Sequence, residues 1–87
     1  MTESRIIIAF AKYVAVKRSK MQPSMSQSEL SARINKSPSY ISQLERGKID
    51  QLGLETFCDI LEALGIGPGE WLIAFYDMEG KSVGGVQ

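Results

Sequence analysis

Ser39, Ser42, Gln43 and Arg46 are the residues of this chain best suited to hydrogen-bond a large polar ligand. Their spacing puts them on one side of a helix whose other side carries Ile41 and Leu44. Glutamine holds a donor and an acceptor side by side, which matches the edge of adenine in the major groove of DNA, and serine is permissive. Tyr40 flanks the same face, and no carboxylate lies on it before Glu45 to repel phosphate. A polar face also suits a helix that merely meets solvent, so the surroundings of this segment must decide between the two.

Other chemistries are poorly supplied. Histidine is absent and Cys58 is the only cysteine, which excludes the usual zinc spacings, Ser–His and Cys–His pairs and an internal disulfide. Cys58 sits among apolar neighbours and is expected as a small core residue. Gly65-Ile66-Gly67-Pro68-Gly69 reads as a helix connector, not as a phosphate-cradling loop. The expectation is a non-enzymatic chain with no metal and no cofactor. The apolar run from Ile6 to Ala11 is too short to span a membrane and lacks the marks of a secretion signal, which predicts a soluble, cytoplasmic protein.

The elements that must position the polar face can be read along the chain. Eighty-seven residues make one small domain, expected over 1–77, with a Gly-rich tail at 78–87 that has little to bury. A first helix is predicted over about 4–20, with Ala9, Phe10, Tyr13, Val14 and Val16 at helical spacing. Its last turn carries Lys17, Arg18 and Lys20, which suits the negative end of a helix dipole and equally suits contact with phosphate. A second helix opens with a capping box, Ser26 as cap and Glu29 returning the bond, and buries Leu30 and Ile34. Asn35 tolerates the left-handed turn that follows. Ser37 is expected to cap a third helix over 37–46, with Pro38 in its first position and Gly47 as its stop. A fourth helix is predicted over 54–64 with an apolar face of Leu54, Phe57, Ile60, Leu61 and Leu64, and a fifth starts near Pro68. The fold class is all-α with five helices.

Charge is divided along the chain although the total is zero. Residues 1–48 hold nine basic and three acidic side chains, a net +6; residues 49–87 hold one basic and seven acidic, a net −6. Phosphates respond to the local field of the basic end, because the acidic end is screened beyond roughly 8 Å at physiological salt.

These residues reach a family resemblance. From Phe10 to about Trp71 the chain resembles the Cro/C1-type (XRE) helix-turn-helix family of prokaryotic and phage DNA-binding proteins. The strings that carry it are SQSELSARI, SPSYISQLERGK, LETFCDILEALGI and the Trp71-Leu72 pair, with the patterns Gln-x-x-Leu-Ser/Ala and Tyr-Ile-Ser-x-Leu-Glu-x-Gly. The resemblance implies a five-helix, lambda-repressor-like domain that binds duplex DNA as a symmetric dimer. It implies that Pro38, Ser39, Ser42 and Gln43 lie at the base-reading positions. Gln27 takes a place that braces a phosphate and the next helix. Lys36, Tyr40, Arg46 and Lys48 take places that meet the phosphate backbone; Ser37 beside them, and Lys17 and Arg18 on the charge of the first helix's last turn, are expected to join that contact. Glu45 matches a glutamate that serves as a structural partner for an arginine or for backbone amides. The chain departs from the pattern in a longer loop before the second helix, in Asn35 where glycine is common, and in Pro38, whose ring offers only apolar contact.

A single short recognition helix reads only a few base pairs, whereas two copies on a two-fold axis reach half-sites about 34 Å apart. The fifth helix carries two apolar stripes, Trp71 with Phe75 and Leu72 with Tyr76, and these four residues are the expected homodimer interface. The reading is a sequence-specific transcriptional regulator, a repressor or dual controller, acting on a palindromic double-stranded DNA operator at the prokaryotic nucleoid. Phage repressors and restriction–modification controllers share this size. The competing reading is an antitoxin or protein-interaction module that keeps the fold and acts mainly through a protein partner.

Overall fold

The computed structural model describes residues 2–78 and Gly80. Five α-helices follow one another: α1 Thr2–Lys20, α2 Gln27–Arg33, α3 Tyr40–Glu45, α4 Leu54–Leu64 and α5 Pro68–Met78. No strand occurs among the described residues. The expected 78–87 tail falls outside them except for Gly80 and for Met78, which closes α5 instead of opening a tail.

α1 is the spine. Its buried side holds Ala9, Phe10, Ala11, Tyr13 and Val14, and the other helices assemble around that stripe. α3 packs on α1 and on α2. α5 also docks on α1: Trp71 meets Phe10 edge-on at 5.1 Å between ring centroids and Tyr13 at 5.2 Å. α4 reaches the same aromatic cluster through Phe57, 4.8 Å from Phe10. Such pairs add roughly 0.5–1.5 kcal/mol each beyond their area burial, which suits a core with few residues.

Two expectations about the core change. Leu54, expected on the buried face of α4, is 76% exposed at the first position of that helix. Cys58, expected inside, is exposed, since it shares the outer face of α4 with Glu55 and Glu62. Ile60, Leu61 and Leu64 supply the buried stripe. Of the isoleucine run, Ile7 packs against the core while Ile6 and Ile8 remain about half exposed.

The helices around the polar face end abruptly. Asn35 takes a left-handed φ of 61°, and the Lys36 N–H reaches back to the Ser31 carbonyl at 2.9 Å. Gly47 at φ 78° repeats the device after α3, with the Lys48 N–H on the Gln43 carbonyl at 2.9 Å. Both bonds satisfy a carbonyl that the ending helix would leave open.

Candidate nucleic-acid interface

α3 is the element that carries the polar face. Ile41 and Leu44 are fully buried, so the helix can rotate neither way without exposing one of them. Ser39 is exposed at its N-cap, Ser42 and Gln43 are half-buried on its outer side, and Arg46 is exposed at its end. The start of the helix differs from expectation. It begins at Tyr40, and Ser37 and Pro38 form a turn in which the Tyr40 N–H donates to the Ser37 carbonyl at 3.0 Å. Pro38 and Ser37 are therefore exposed turn residues and not the opening of the helix. Gln43 donates through Nε2 to the Ser39 hydroxyl at 3.1 Å, so these two side chains are joined before any ligand arrives.

A polar clasp fixes α3 against α1 and α2. Arg18 donates through Nε and a terminal nitrogen to the two carboxylate oxygens of Glu45, both at 3.0 Å, and through its other terminal nitrogen to the Met25 carbonyl at 3.0 Å. The bidentate geometry makes the pair strong and directional. Gln27 adds a bond to Glu45 Oε1 at 2.7 Å. Glu45 thus serves an arginine, as the resemblance implies, and Gln27 braces the next helix through it. Three N–H groups of Arg18, a residue expected to contact phosphate, are committed to the clasp, which gives its side chain a structural part. The capping box of α2 forms by half: Ser26 accepts from the Glu29 N–H at 3.0 Å, but the Glu29 carboxylate turns to Arg33 at 3.2 Å.

The remaining cations sort clearly. Lys17 pairs with Glu70 of α5. That pair raises the Lys17 ammonium above its ordinary value and holds the Glu70 carboxyl below its own, in each case chiefly through the hydrogen bond between them. Burial pushes the phenol of neighbouring Tyr13 up. Lys36 sits 5.4 Å over the ring of Tyr40, a half-buried phenol that burial also pushes up. Lys20, Lys36, Arg46 and Lys48 are exposed, and none makes an ion pair among the described residues. Three of these four bracket α3 in the chain.

The expected dimer residues divide. Trp71 is only 5% exposed and Phe75 packs against the core, so this stripe is used inside the domain against α1, with Trp71 and Phe75 5.5 Å apart. Trp71 presents no surface for a partner. Leu72 and Tyr76 stay outside, joined by Ile73, which the two-stripe pattern leaves out. Sequence reasoning also misses Ser31. It is fully buried, and its hydroxyl meets the Ile41 N–H at 3.0 Å. Its sequence signal is a serine between Leu30 and Ile34, on the side of α2 that must meet α3.

A helix-turn-helix family model matches residues 16–71, more than half of the chain. The protein belongs to the Cro/C1-type helix-turn-helix family: it is a DNA-binding, non-enzymatic all-α domain of the lambda-repressor-like fold. No curated protein and no solved structure gives a significant match. Among the described residues, no helix is long and apolar enough to cross a membrane, and no cluster of side chains is arranged to hold a metal ion.

Proposed function

We propose that this protein is a sequence-specific transcriptional regulator, a repressor or dual controller, that lays α3 in the major groove of a palindromic operator as a homodimer. The observation that carries the reading is electrostatic. The one carboxylate of α3 is turned inward and matched by Arg18, while Lys36, Arg46 and Lys48 make no ion pair among the described residues and stand around an outer face of Ser39, Ser42 and Gln43. Ser39, Ser42 and Gln43 read base edges, with Pro38 offering apolar contact to a thymine methyl. Lys36, Ser37, Tyr40, Arg46 and Lys48 hold phosphates, which positions the helix without selecting sequence. Gln27 and Arg18 act behind them by fixing α3, and Lys17 joins the phosphate set only by leaving Glu70.

The second subunit docks on the outer face of α5, where Leu72 is 54%, Ile73 52% and Tyr76 38% exposed. Contiguous exposed apolar surface of this kind marks an interaction site. The same surface favours the competing reading, an antitoxin or interaction module working through another protein.

Selection of bound fragments from the source genome tests the proposal. A recovered palindrome with half-sites one helical turn apart supports it, and affinity for that site should fall steeply with salt. Recovery of no common sequence would overturn it and leave the interaction module.

A further inference from the structure

Ser31 is the one non-aromatic polar side chain fully buried among the described residues. Its hydroxyl donates to the Gln27 carbonyl one turn back, at 2.9 Å. That bond points the proton into α2 and turns a lone pair toward α3, where the Ile41 N–H donates to it at 3.0 Å. Ile41 is the second residue of α3, and its amide is among those that no carbonyl of the same helix satisfies. The usual partner for such an amide is the side chain of the residue at the helix cap. Here that residue is Ser39, and its side chain makes no capping bond. It accepts from Gln43 instead.

We propose that Ser31 is the cap of the recognition helix, supplied across the turn from α2, and that this frees Ser39 to face DNA and to hold Gln43. Ser31 is then a positioning residue for sequence discrimination. The proposal rests on α3 being the helix that reads DNA. Without the buried hydroxyl, Ile41 is left with an unsatisfied amide, or Ser39 swings back to cap its own helix and leaves Gln43 unheld. Phosphate binding by Lys36, Arg46 and Lys48 does not depend on that choice.

Ser31→Ala removes only the hydroxyl. The expected result, with both proteins folded at the temperature used, is a loss of about five- to tenfold in affinity for the selected site. Affinity for random duplex and the salt slope should stay unchanged. A role in stability alone would lower both affinities together, and an unchanged ratio of specific to random binding overturns the proposal. Amide hydrogen exchange in the unaltered protein provides a second measure that needs neither variant nor DNA. The Ile41 N–H should exchange as slowly as the core amides of α2, and exchange as fast as an open helix terminus overturns the cap. If the unaltered protein selects no DNA sequence, the groove reading fails, and the Ile41 rate still decides whether Ser31 caps α3.

Discussion

Gln43 has one N–H committed to Ser39, which leaves its Oε1 and its second N–H to face outward. Those two atoms are the acceptor and donor that the major-groove edge of adenine complements. Gln43→Ala should therefore cost about 1–3 kcal/mol on the selected site and little on random DNA, measured by titration of both duplexes. Equal losses on the two would remove its base-reading role. Arg46 and Lys36 carry a different expectation, because each is exposed and neither makes an ion pair among the described residues. Alanine at either position should weaken binding to every sequence and flatten the salt slope by about one unit for each phosphate no longer neutralised. A slope that does not move would mean that the side chain never touches phosphate.

At the scale of elements, α3 is held by the Arg18–Glu45–Gln27 clasp and by the buried pair Ile41 and Leu44. Glu45→Ala leaves a guanidinium with 18% side-chain exposure facing an empty site and releases Gln27. We expect a loss of about 2–3 kcal/mol in unfolding free energy, somewhat below the cost for a fully buried pair, read from chemical denaturation. The α1–α5 contact has a pH signature. Glu70 is held below its ordinary value by Lys17, so the pair stabilises the domain above the usual carboxylate range and that support is lost as pH falls through the lowered value. Both groups are exposed, so the effect is small. The melting temperatures of Glu70→Gln and the parent should differ slightly at neutral pH and converge in acid. Much of this architecture is legible in the chain: apolar spacing locates all five helices, and Asn35 and Gly47 mark their stops. The start of α3 is not, because Ser37-Pro38 is a cap-and-first-turn signal that here closes a turn two residues early. Nor is the commitment of Arg18, since a basic residue at the end of a helix looks the same whether it meets a phosphate or a carboxylate 27 residues away. Periodicity also finds two apolar stripes on α5 without showing which one α1 takes.

For the whole molecule, the division of charge and the outer face of α5 make one expectation together. On the proposed function, the basic half would meet DNA and the acidic half would be left for a second copy. Leu72→Glu should convert a dimer to a monomer in sedimentation at micromolar concentration and weaken operator binding, while a monomer's affinity for random DNA persists. A sole monomeric species in the unaltered protein would remove the interface. The shortness of α3 has a thermal consequence. Six residues make a helix about 9 Å long, far below the length that holds together alone in water. It is held by the domain through the buried pair Ile41 and Leu44 and the Glu45 clasp, so it has no melting point of its own. Warming should release the operator along the same curve on which the domain unfolds, with circular dichroism and DNA retention falling in step, and the reading head and the fold would then share one temperature at which regulation switches off.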